Sequence, residues 1–200
     1  MCRGSRTRRS AIVAVLALSL GGCALATGAK VVDLYDLTAP DLSQTVRGGT
    51  RSQLLIPEPN AVQALNTNQI VIRTDQSTLG YIGGGQWADT LPKLVQARLV
   101  QAFEQTGRVA AVGTPGEGLF INHTVRVTIR FFGLDVNGAR RARLDFAAKI
   151  MNEGTGRVVA VTSISESVPA GPGTEGAVDA LDAAFGNASQ TLVQWVVSKI

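Results

Sequence analysis

The sequence predicts a two-layer α+β domain, an antiparallel meander-containing sheet with two main helices packed on one face. Three observations lead there. Between Thr124 and Val168, apolar and polar residues alternate in three runs separated by Asn137-Gly138 and Asn152-Glu153-Gly154-Thr155-Gly156, the period of half-buried strands joined by tight turns. Two other stretches, Trp87–Thr106 and the end of the chain from Thr174, carry apolar residues at spacings of three and four, one stripe of a helix each. Both helices have polar backs, so both bury their stripes on the sheet's apolar face.

The chain opens differently. Arg3, Arg6, Arg8 and Arg9 precede the apolar run Ala11–Leu20, and no acidic residue occurs before Asp33. A positive leader, a short apolar run and small residues form the plan of a secretory signal. As a helix that run is only about 15 Å long, too short for a bilayer core of about 30 Å. Leu20-Gly21-Gly22-Cys23 resembles the bacterial lipoprotein box, cut before a cysteine that is then acylated. The expected organisation is a signal over 1–22, a lipidated tether over 23–30 and a single domain over 31–200. The other reading of Cys23 is an incidental residue at an ordinary cleavage site.

Charge agrees with this division. The whole chain has 19 basic and 15 acidic residues for a net +4. The four leader arginines account for that excess, and a neutral mature chain argues against nucleic acid, which is bound by clustered cations. Cys2 leaves with the leader and Cys23 is taken by lipid, so no disulfide remains. The 170 or so residues beyond the tether suffice to bury roughly 70% of their unfolded surface. Ala24 after the cysteine, where aspartate is absent, points to the outer membrane under enteric-type sorting.

In order, Val31–Leu37 reads as a strand ended by Pro40, and Asp41–Ser52 as loop. Gln53–Ile56 is a short strand stopped by Pro57 and Pro59. Asn60–Asn66 reads as two helical turns capped by Asn60, Gln69–Arg73 as a buried strand, and Ser77–Ile82 as a weaker one. Gly83-Gly84-Gly85 reads as a flexible turn feeding the first helix; a phosphate loop would need a following Gly-Lys-Ser/Thr, and Gln86-Trp87 stand there instead. Within that helix Asp89 suits the first turn, Pro92 is tolerated there and Gly107 supplies the stop. Trp87 reads as core, with the alternative that it lines a partner surface beside the glycines. Arg108–Val112 reads as a strand before the meander, and Pro169–Gly173 as a loop after it.

Arg126, Arg130, Arg141, Arg143 and Lys149 fall on the polar positions of two adjacent strands. The functional reading is a site for lipid headgroups or an acidic partner; the other is a solvated face, or cross-strand pairing with acids such as Asp145. Catalysis finds little footing. The chain has one histidine, His123, in a strand-like run, so neither a metal cluster nor a Cys/His pair can be assembled. No cofactor is expected.

The succession of lipobox, Leu34-Tyr35-Asp36-Leu37, Ile70-Val71-Ile72-Arg73, Tyr81, Trp87-Ala88-Asp89, Leu91-Pro92 and Arg98-Leu99-Val100-Gln101-Ala102-Phe103 resembles the ABC-type transport auxiliary lipoproteins, the group that includes the paraquat-inducible lipoprotein. The resemblance covers nearly the whole mature chain. It implies a non-enzymatic periplasmic partner of a mammalian-cell-entry (MCE) domain protein with its ABC permease and ATPase, in systems that move phospholipid or other hydrophobic molecules between membranes. It carries over no catalytic residue, and only Cys23, as the lipidation site, transfers. Two other roles stay open, a lipid carrier with a pocket between sheet and helices and a structural lipoprotein of outer-membrane assembly.

Overall fold

The computed structural model describes residues 32–200; the leader, the 23–30 tether and Cys23 lie outside them. The centre is β7 (His123–Asp135), which pairs antiparallel along its whole length with β8 (Arg141–Asn152), itself paired antiparallel with β9 (Arg157–Pro169). This is the expected meander, turned by glycines in the left-handed region, Gly138 (φ 111°) and Gly156 (φ 67°), where a side chain would cost energy.

The other edge of β7 is shared by three short parallel strands laid end to end. β2 (Gln53–Leu55) pairs at His123 and Thr124, β3 (Asn60–Ala61) at Thr128 and Ile129, and β4 (Gln69–Arg73) at Leu134 and Asp135. Pro57 and Pro59 interrupt this run because proline has no N–H to give a ladder. The sequence expectation of two helical turns at 60–66 is therefore corrected. Asn60 and Ala61 are drawn into the sheet, and only one turn follows, with the Leu65 and Asn66 N–H groups donating to the Val62 carbonyl at 2.8 and 3.0 Å.

β5 (Leu79–Trp87) pairs antiparallel with β4, and β1 (Asp33–Tyr35) pairs parallel with β5; β6 (Ala111–Gly113) pairs parallel with β2. The nine strands form one mixed sheet. The glycine triplet is not a turn leading to a helix. It lies within β5, which bulges there, two steps along β4 from Gln69 to Val71 matching five along β5 from Gln86 to Tyr81. Gly85 is required by close approach, since a Cβ on it would stand 2.5 Å from the Tyr35 ring and 2.9 Å from the Thr174 methyl.

Because β1 pairs as far as Trp87, the first helix starts later than the apolar periodicity suggests. α1 spans Leu91–Thr106, with Thr90 at the N-cap, Pro92 in its first turn and Gly107 closing it at φ 58°. Asp89 stands before the helix, its carboxylate accepting from the Thr90 N–H at 2.6 Å. α2 spans Gly173–Lys199, about 40 Å of helix, with Glu175 in its first turn and Lys199 in its last, each favoured by the helix dipole.

Both helices bury their apolar stripes in one core with the inner face of the sheet. Phe132 is its hub, meeting Trp87 edge-on at 5.9 Å between ring centroids, Phe146 at 6.4 Å and Phe185 of α2 at 6.5 Å. Simple alternation puts Phe131 in that core. Instead the β7–β8 register slips between Ile129 and Phe131. This β-bulge at Arg130 reverses the alternation, so Phe132 and Leu134 point inward. Phe131 goes to the outer face under Arg73, whose guanidinium carbon lies 4.0 Å from its ring centroid.

Candidate functional site

The outer face of the meander is built in rows across the strands. Arg126, Lys149 and Val161 stand opposite one another, and next come Thr128, Ala147 and Ser163. Phe131, Asp145 and Ser165 follow, then Gly133, Arg143 and Ser167, and Asp135, Arg141 and Pro169 close the series. Arg130, the bulged residue, overhangs the second row.

The two ends of this face differ electrostatically. At the end nearest the Asn137-Gly138 turn, Asp135 neutralises the cations. Arg143 donates to it at 2.9 Å and Arg73 lies 3.8 Å away. Burial pushes the Asp135 carboxyl up, but the Arg143 hydrogen bond, the Asn137 N–H and the two positive charges together hold it below its ordinary value. Arg141 is engaged with Ser167, donating to its hydroxyl at 2.7 Å and its carbonyl at 2.8 Å.

At the other end the charges are only partly compensated. Arg130 donates to the Ser163 hydroxyl at 3.2 Å and stands 3.9 Å from Asp145. Arg126 and Lys149, directly opposite each other, form no ion pair among the described residues. Like charges in cross-strand register cost stability. Between them and Arg130, the small row Thr128-Ala147-Ser163 leaves an open trough of about 420 Å³. The expected pairing with acids thus holds for Arg143 and, loosely, for Arg130, but not for Arg126.

Two further features adjoin the trough. β9 has thirteen residues and among the described residues pairs only with β8, so its second edge carries no strand there. Its first half exposes Val158, Val159 and Val161, the last at 71%. Arg157, a register slip near Met151 and Pro169 blunt its two ends, the usual protections of an edge strand, while Val161–Ser165 has none. Beyond the start of β7, Phe120 is 80% exposed and lines a cleft of about 510 Å³ with Arg51, His123 and Asn152. Burial lowers the His123 pKa from its ordinary value. Its Nε2 lies 3.4 Å from the Asn152 amide nitrogen, while Nδ1 has no partner. Among the described residues no three His, Cys, Asp or Glu side chains gather as a metal site would need.

Of the sequence-predicted site residues, Arg126, Arg130, Arg141 and Arg143 share one face. Trp87 does not join them. It is 1% exposed, beneath Phe132, and offers a partner no surface. Sequence reasoning missed the open edge of β9 and the opposition of Arg126 to Lys149, both of which depend on register. The residues behind the family resemblance serve the fold. Arg98 donates to the Leu37 carbonyl at 2.6 Å and pairs with Asp36, tying α1 to the segment after β1, and the Ala88 N–H donates to the Tyr35 carbonyl at 2.7 Å.

A family model described as an ABC-type transport auxiliary lipoprotein component matches residues 35–193. The protein bll6063 of Bradyrhizobium diazoefficiens is 31% identical over 169 residues, which cover 82% of this chain and 44% of that protein. The chain therefore spans less than half the length of this curated relative. Among solved structures, protein XCC0632 from Xanthomonas campestris matches with a TM-score of 0.76 at 22% identity, over 83% of this chain and 95% of that one. The hypothetical protein CT253 from Chlamydia trachomatis matches at 0.53 with 5% identity, over 75% and 98% of the two chains. These two likenesses establish a shared fold. No described helix is long and apolar enough to cross a membrane.

Proposed function

The chain belongs to the ABC-type transport auxiliary lipoprotein family, and on that premise we propose that it is a lipid-anchored docking domain for an MCE-type protein. Cys23 carries the fatty anchor, and the domain faces the periplasm from the outer membrane. The partner works with an ABC permease and ATPase that move lipid or another hydrophobic compound. The open, partly apolar edge of β9 is the observation that supports docking. An edge strand of thirteen residues is a template for a strand supplied by another protein.

The apolar part of β9 lies at the end of the sheet away from the Asn137-Gly138 turn. The carrier reading has less support, since Trp87, Phe132, Phe146 and Phe185 occupy the space between sheet and helices where a lipid would sit.

The test is co-isolation in mild detergent from native membranes. The wild-type protein is expected to bring an MCE-type subunit with it, and Val159→Lys/Val161→Lys, which charges the open edge without touching the core, to lose it. A partnerless wild-type monomer refutes docking. Retention of the subunit by the double variant refutes the choice of edge.

A further inference from the structure

Arg126 and Lys149 stand in like-charge register with no ion pair to offset it among the described residues. Two cations face each other across β7 and β8, and Arg130 leans in from the next row to donate to Ser163. The floor between them is made of the short side chains Thr128, Ala147 and Ser163, so the cationic heads surround an open depression instead of filling it.

We propose that this trough binds a phosphate-type oxyanion. Its chemistry matches on three counts. Two guanidinium groups, of which Arg130 also stands 3.9 Å from Asp145, and one ammonium supply charge-assisted donors of the kind that hold phosphate. The hydroxyls of Thr128 and Ser163 stand on the floor as neutral donors. The trough lies on an open sheet face, where an anion removes the repulsion between Arg126 and Lys149 and loses little of its own hydration. A free phosphate and a phospholipid headgroup share this chemistry. They differ at the rim, where Val161 offers an apolar ledge beside Lys149 that only the glycerol end of a lipid would use. The trough borders the docking edge at Val161, but its cations stand on β7 and β8, so Arg126→Gln and Lys149→Gln test it separately from the transport reading.

The test uses the chain from Cys23 onward with Cys23→Ala, followed by amide NMR. It is titrated with inorganic phosphate, with dihexanoyl phosphatidylglycerol below its micelle concentration, and with an oligoglutamate peptide. Saturable shifts at Thr128, Ala147 and Ser163 are expected with both phosphate probes. Comparable affinities identify free phosphate as the source. A preference of about tenfold or more for the lipid, roughly the value of burying one or two methylenes, with shifts reaching Val161, identifies the headgroup. Arg126→Gln and Lys149→Gln should each weaken binding by about tenfold or more, the size of a lost charge-assisted hydrogen bond. Their melting temperatures should stay unchanged or rise. The proposal is overturned if neither phosphate probe gives saturable shifts in the trough, if both variants bind like the parent, or if only the oligoglutamate saturates it.

Discussion

Truncating Phe132 and its neighbour Phe131 separately tests the sheet's register most sharply. Phe132 meets three aromatic rings at 5.9, 6.4 and 6.5 Å and is almost wholly buried. Phe132→Ala leaves a cavity that α2 and the sheet cannot close independently, at a cost of about 3–5 kcal/mol. Aromatic pairs contribute about 0.5–1.5 kcal/mol each beyond area, which places this site near the top of that range. For a domain of this size each kcal/mol shifts the melting temperature by about 2–4 °C, so a fall of roughly 10–20 °C is expected. Phe131 lies on the opposite face with Arg73 over its ring, a contact worth about 0.5–1 kcal/mol. Phe131 is also buried, but a flexible side chain covers it and can settle into the gap, so Phe131→Ala should cost about 3 kcal/mol, the low end of the same range. Both numbers come from urea or thermal unfolding followed by circular dichroism. If Phe131→Ala proves equal to or worse than Phe132→Ala, β7 alternates unbroken through Arg130, and the cation rows derived from the bulge fall with it.

Lys149→Glu places opposite charges across β7 and β8 where like charges now stand, and should raise stability by up to about 1 kcal/mol in thermal unfolding at low salt, with the gain fading as salt is added. Gly133→Ala puts a Cβ 2.5 Å from the Val71 carbonyl oxygen and must push β4 off β7, a cost of about 1–3 kcal/mol; an unaffected denaturation midpoint would contradict the β4–β7 pairing. The folded state holds the Asp135 carboxyl below the unfolded value of 3.8. Its contribution is therefore complete above that pH and is lost as pH falls through the folded pKa. Asp135→Asn should lower stability at neutral pH by about 1–2 kcal/mol and flatten the acid limb of the pH–stability curve. Cys23→Ala should release the protein from membranes, by fractionation, without changing its unfolding curve.

Much of this fold was legible because its large elements repeat short periods. Asn137-Gly138 and the glycine-containing turn at 152–156 mark the meander's corners, and the spacing of Leu91, Leu94, Val95, Leu99 and Phe103 marks the buried face of α1. The short parallel strands were not legible. Gln53–Leu55 and Asn60–Ala61 are too brief to carry a period and become strands only because β7 offers them an edge. The glycine triplet looked like a turn because nothing in its own composition reveals that β1 and Thr174 press against it.

The site divides in the same way. That Arg126, Arg130, Arg141 and Arg143 share a face follows from alternation along each strand. Which cation opposes which does not, because Asp135 pairs with Arg141 while Arg126 pairs with Lys149, and one slipped residue between them is needed for both pairs to face outward. The adjacent Phe131 and Phe132 were the one trace of that slip in the sequence. Trp87 was ambiguous for a tertiary reason. Its place after the glycines suggested a surface, but β1 pairing and Phe132 draw it into the core.

Docking is tested most directly by amide hydrogen exchange along β9, measured on the protein alone and after addition of the MCE-type subunit. A partner strand added to the open edge should slow exchange within Val161–Ser165 while the β7–β8 ladder stays as it was. Binding that leaves those amides as exchangeable as before, or the absence of binding altogether, would contradict it.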